Sequence, residues 1–213
     1  MTPHGLVCAH RGASLDLPDN SVAAFVAAIA SGCDVIETDV RIRGDGRLVL
    51  AHDTWDVARE NVVELDTLVE LARGRVGLDL EIVEAGLERA VLDAVDGFPG
   101  RLIVTSTVPE ILSDVHRLTR GIDTGLVIEA PFFGDPFALA DECGASITLV
   151  EDEIATSSLL VCAATSGRPL WVWTVNDERR LHQLLATSSV AGVITDDPAL
   201  ACRLRAEQAS LAK

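Results

Sequence analysis

Residues 6–53 read LVCAHRGASLDLPDNSVAAFVAAIASGCDVIETDVRIRGDGRLVLAHD. LVCAH is a short apolar run ending in polar residues, the pattern of a buried strand, and it delivers His10 and Arg11 at its end. Asn20 is a good helix N-cap, VAAFVAAIA after it favours helix, and Gly32 is a helix stop. VIETDV then reads as a second strand. Strand side chains alternate, so Val35, Glu37 and Asp39 share one face. The two carboxylates stand roughly 7 Å apart along it and can converge on one ion. A strand–helix–strand unit of this length is right-handed and parallel, which sets His10 beside Glu37 and Asp39. RLVLAHD is a further strand-like piece and carries His52 and Asp53.

Acids on one face of an otherwise buried run are costly unless paired or metal-bound. Together the groups are those of a metal-assisted phosphoester reaction. Two imidazoles, His10 and His52, move protons near neutral pH. The Arg11 guanidinium suits a phosphate, and the carboxylates suit a divalent cation.

The rest of the chain repeats the alternation. LDTLVELAR is a helix with Leu65, Leu68, Val69 and Ala72 at helical spacing, and VGLDLEIV is a strand. TWDVARENVVE before them reads as a loop. Eight strands begin near residues 6, 34, 76, 101, 124, 145, 170 and 192, each followed by a helical segment. That is an α/β chain, and the expected architecture is a single (β/α)8 TIM barrel over residues 1–213 as one domain. In such a barrel His10, Arg11, Glu37, Asp39 and Glu81 fall at or near C-terminal strand ends, the face where barrel enzymes do chemistry. Trp173 is also late in its strand, where it either walls the pocket or packs in the core. His116 and His182 lie on polar helix faces.

HRGASLDLPDNSVAAF resembles the HRG…PENT..AF signature of the glycerophosphodiester phosphodiesterase family, and VIETDVRIRGDGRLVLAHD resembles its IE.DV…DG..VV.HD continuation. WTVN at 173–176 and the G.ITD.P pattern starting at Gly192 are similar to its later motifs. The resemblance implies a TIM barrel that cleaves small glycerophosphodiesters to glycerol 3-phosphate and an alcohol. It implies His10 and His52 as the acid–base pair and Arg11 on the phosphate. VGLDLEIV resembles the family's GLNIEIK strand, in which the Glu is a metal ligand and the Lys meets phosphate. Glu81 matches that Glu, so Glu37, Asp39 and Glu81 would hold one divalent cation. All-oxygen ligation suits Mg²⁺ or Ca²⁺, with Mn²⁺ admissible.

Two departures stand out. The segment between His52 and the third barrel strand is short for the family, which leaves a reduced insertion after the second strand and a more open mouth. Val83 stands where the family has its Lys. Valine offers neither charge nor donor, so either another basic group reaches the phosphate or the substrate presents an apolar group there. Two rival functions share the scaffold. One is a phospholipase D-like lyase that releases a cyclic phosphate. The other is a catalytically eroded barrel that only binds phosphorylated ligands, which Val83 would favour.

With 48% hydrophobic residues in 213, the chain can fill one sizeable core. Its 33 acidic residues against 17 basic ones give a net charge of −16, which argues against nucleic acid or an anionic membrane as partner. An anionic phosphodiester then depends on a local cation and Arg11. Cys8, Cys33, Cys143, Cys162 and Cys202 have no CxxC spacing and read as free, buried thiols of a reducing compartment. No stretch is long and apolar enough to span a bilayer. The first strand begins near Leu6, leaving no room for a signal peptide, so the expected location is the cytoplasm.

Overall fold

The computed structural model describes residues 5–211. β1 (Leu6–His10), α1 (Val22–Ser31) and β2 (Val35–Ile42) form a parallel unit with His10 opposite Glu37. β3 (Leu48–Leu50) folds back antiparallel on β2, and β4 (Val63–Glu64) pairs with β3 ahead of α2 (Leu65–Ala72). There follow β5 (Gly77–Ile82), α3 (Glu88–Ala94), β6 (Leu102–Ser106), α4 (Pro109–Leu118), β7 (Asp123–Ile128) and α5 (Pro136–Cys143). The last elements are β8 (Ile147–Glu151), α6 (Ser157–Ser166), β9 (Leu170–Trp173), α7 (Glu178–Leu185), β10 (Val190–Thr195) and α8 (Pro198–Leu211). β1, β2 and β5 to β10 are parallel neighbours, and pairing of β1 with both β10 and β2 closes them. The chain is a TIM barrel, with eight parallel barrel strands and eight α-helices among the described residues, as its alternation predicts.

Strand alternation sorts the core into two layers. Val7 and Ala9 of β1 and Ile36 of β2 pack outward among the helices. Cys8 and Val35 point the other way, into a barrel floor with Ile103, Leu149, Trp171 and Ile194. Trp171 fills that floor because its β10 neighbour is Gly192, where an added Cβ would stand 2.5 Å from the indole. Continuing the floor's parity gives His10, two residues on from Cys8, and Glu37 and Asp39, two and four residues on from Val35. The same alternation that builds the apolar floor therefore raises a polar layer above it.

The structure differs from expectation at three points. α1 is capped by Ser21, whose Oγ accepts from the Ala24 N–H at 3.2 Å, not by Asn20. The 54–64 segment is not all loop: it holds a 3-10 turn at Asp56–Ala58 and β4, too short to show a periodicity. All five cysteines are free, but only Cys8, Cys33 and Cys143 are buried. Cys162 is exposed because α6 buries Leu160 and Ala163 and turns the residues between them outward. Among the described residues, no helix is long and apolar enough to cross a membrane.

Candidate active site

The polar layer opens into a cavity of about 290 Å³ at the C-terminal strand ends. His10, Arg11, Glu37, Asp39, His52, Glu81 and Trp173 all line it, above a floor of Val127, Leu149 and Ile194. Arg41, Asp79, Val83 and Glu129 line it as well.

The strand register builds the acid cluster. Asp39 stands opposite Glu81 across the β2–β5 pair, and Glu37 stands opposite Asp79. One oxygen each from Glu37, Asp39 and Glu81 lies within 4.8 Å of the others. Glu37 and Asp39 are buried. Burial, and then Asp39, Glu81 and Asp79, push the Glu37 carboxyl well up, and Arg11 offsets only part of this. Burial, and then Asp39 and Asp79, raise Glu81 to about 8. Burial raises Asp79 to about 7 against a hydrogen bond from Thr105. Carboxylates packed this closely fit a divalent cation, which suits hard oxygen donors and relieves their repulsion. The Arg11 N–H donates to Glu37 Oε2 at 3.1 Å, and Asn20 Nδ2 donates to Asp39 Oδ2 at 3.2 Å. Each carboxylate thus keeps its second oxygen for an ion.

Arg11 is left-handed, with φ 57. Its N–H is shared between the Glu37 carbonyl and carboxylate, which holds this costly backbone in place. Gly12 follows at φ 91, and a Cβ there would meet Ala24 of α1 at 2.7 Å. That close approach accounts for the glycine. Arg11 Nε lies 3.0 Å from Asp39 Oδ2, in ion-pair range but off the hydrogen-bond direction, and Nη1 reaches Asp19 at 3.3 Å.

Asn20 explains its own absence from the helix cap. It sits at φ 54, takes a 2.6 Å hydrogen bond from Thr38 Oγ1 and gives one to Asp39. Asn20→Ala removes both buried contacts and puts alanine in a left-handed conformation. The expected loss is about 1–3 kcal/mol of unfolding free energy, read from urea denaturation. An unchanged midpoint would show that Asn20 supports nothing.

His10 Nδ1 lies 2.7 Å from Asp196 Oδ1. A carboxylate only accepts, so Nδ1 carries the proton and Nε2 is left for chemistry. Asp196 is itself fixed: Asn176 Nδ2 donates to its Oδ2 at 2.6 Å, and Ser14 Oγ lies 3.1 Å from its Oδ1. Burial raises the Asp196 carboxyl, but the hydrogen bonds and charge of His10, Asn176 and Ser14 outweigh it and hold it below its ordinary range. His52 is more open, with its side chain 53% exposed and Nδ1 3.1 Å from Asp53 Oδ1.

Residues 10–78 and 78–200 match the model of the glycerophosphoryl diester phosphodiesterase family. The chain belongs to that family. A glycerophosphodiester phosphodiesterase of Caldanaerobacter subterraneus subsp. tengcongensis is 27% identical over 91% of this chain and 94% of its own length. The crystal structure of the Thermotoga maritima glycerophosphodiester phosphodiesterase superposes with a TM-score of 0.80 at 23% identity, covering 95% of this chain and 99% of that one. A phosphodiesterase from Oleispira antarctica, solved in complex with the product sn-glycerol-3-phosphate, also gives 0.80, at 19% identity over 99% and 98% of the two chains.

Against the family's motifs, the sequence left unassigned Arg41 of the cavity and three residues that stand behind His10, namely Ser14, Asn176 and Asp196. Asn176 and Asp196 sit in the WTVN and ITD patterns, so their positions at strand ends were the available signal. Ser14 and Arg41 carried none. Trp173 lines the cavity wall, and its Nε1–H is buried without a protein partner. Val83 faces the same cavity, so the missing family lysine is a gap in the site itself.

Proposed function

We propose that this family member is a metal-dependent phosphodiesterase that hydrolyses glycerophosphodiesters to glycerol 3-phosphate and an alcohol. The observation that carries it is the convergence of Glu37, Asp39 and Glu81 in the cavity that also holds the Asp196-bound His10. The relatives' activity supports the substrate class. Bound by these three carboxylates, a Mg²⁺ or Ca²⁺ ion, with Mn²⁺ admissible, supplies positive charge to the phosphate oxygens.

The chain's own groups do the rest. Arg11, already aimed by Asp19 and Asp39, binds a non-bridging phosphate oxygen. His10 and His52 form the acid–base pair: one takes the proton of the attacking water and the other protonates the leaving alkoxide, so that the alcohol departs and glycerol 3-phosphate remains. Asp196 keeps the His10 ring oriented. Trp173 and the apolar floor exclude water from one side of the phosphodiester.

Phosphorus NMR of a glycerophosphocholine digest tests this. The expected end product is glycerol 3-phosphate. A cyclic phosphate as the stable end product would mean a lyase, and an unchanged substrate would mean an eroded binding barrel.

A further inference from the structure

We infer that Arg41 is a second phosphate-binding cation of this cavity, filling from β2 the place that Val83 leaves empty on β5; this rests on the phosphodiesterase reading above. Asp39 pairs with Glu81 and Val40 with Ile82. The next residues, Arg41 and Val83, are therefore side by side at the ends of neighbouring strands, and both line the cavity. Arg41 is two residues on from Asp39 and shares its inward face.

The charge of the cavity calls for such a group. Glu37, Asp39, Asp79, Glu81 and Glu129 line it, against two guanidinium groups, Arg11 and Arg41, among the described residues. Arg11 is engaged by Asp39 and Asp19. Among the described residues, Arg41 has one carboxylate partner, Glu84, at 3.0 Å, and that carboxylate is 41% exposed. Its charge is thus neutralised weakly, by a solvated acid.

Its hydrogen bonds leave donors to spare. Nε donates to the carbonyls of Ala51 and His52 at 3.0 and 2.9 Å, Nη2 to His52 O at 2.7 Å, and Nη1 to Glu84. A guanidinium has five N–H groups, so one on each terminal nitrogen remains. The side chain is 14% exposed and its plane is set by backbone carbonyls. It is preorganised for a forked contact with phosphate oxygens.

The test must separate phosphate binding from a mere tether on the His52 loop. Two readouts are taken: binding of sn-glycerol 3-phosphate by calorimetry in saturating Ca²⁺, and kcat/KM on glycerophosphocholine. Arg41→Gln is expected to weaken both by about 10- to 100-fold, the effect of one lost charge-assisted hydrogen bond. Arg41→Lys keeps the charge and is expected to stay within about tenfold of wild type. Adding Val83→Lys to Arg41→Gln is expected to recover about tenfold in both readouts. A tether would be lost equally in Arg41→Gln and Arg41→Lys and would not be rescued from position 83; either result overturns the inference, as does unchanged binding in Arg41→Gln. If wild type binds sn-glycerol 3-phosphate through Arg41 but cleaves no glycerophosphodiester, the proposed function fails and Arg41 stands. If wild type binds none, both fail.

Discussion

His10→Ala is expected to lower turnover of a glycerophosphodiester by ~10²–10⁴-fold, the usual worth of one general acid or base, while the barrel stays folded. The ring makes one polar contact that matters, to Asp196. When it is removed, Asp196 keeps Asn176 and Ser14, so no buried charge is stranded. His52→Ala should cost a comparable factor, since in the proposed mechanism each imidazole handles one of the two proton transfers. His116→Ala and His182→Ala are the controls. Both side chains lie on exposed faces of α4 and α7, outside the cavity. Steady-state kinetics beside thermal melts read the outcome. A loss at His116 or His182 matching that at His10 would remove the basis for the proton-transfer roles.

Mg²⁺ or Ca²⁺ is expected to raise the melting temperature, and to do so more at pH 8 than at pH 5.5. The sign follows from the acid cluster. Unfolded Glu and Asp ionise near 4. In the folded, metal-free cavity Glu37 is pushed well up, Glu81 to about 8 and Asp79 to about 7. Between those limits the folded state holds more protons than the unfolded, so stability falls as pH rises. In chelator the melting temperature should decline from about pH 5 to pH 8. A cation held by the proposed site would bind only the folded cluster and would oppose that decline. At a hundredfold excess over Kd it contributes about 2.7 kcal/mol, or roughly 5–11 °C for a chain of this size. Glu37→Gln removes one repelling charge and one ligand, so it should raise the metal-free melting temperature and abolish the metal response. A wild-type curve indifferent to millimolar cation, with Glu37→Gln the same, would contradict the metal site.

The barrel was readable because its strands carry two messages in one alternation. Val7, Ala9 and Ile36 mark a strand that faces helices, while Cys8, Val35, His10, Glu37 and Asp39 mark its inner face. His10, Glu37 and Asp39 on that inner face could be collected from spacing alone. Residues whose place depends on distant partners could not. Asp196 meets His10 across 186 residues, through the closure of β10 on β1. Asn20 reads as a helix cap because local preference favours it, but Thr38 and Asp39 draw it away and leave the cap to Ser21. Arg41 looks like one of many surface arginines until the β2–β5 register sets it beside Val83. Local chemistry shows in a sequence; pairings made by tertiary closure do not.

The most direct test is glycerophosphocholine turnover by protein stripped with EDTA and then restored with Mg²⁺, Ca²⁺ or Mn²⁺, with Glu37→Gln assayed alongside. The account predicts no turnover in the stripped protein, recovery with at least one of the three ions, and no recovery in Glu37→Gln. Full activity in EDTA, or a Glu37→Gln enzyme as active as wild type, would contradict it.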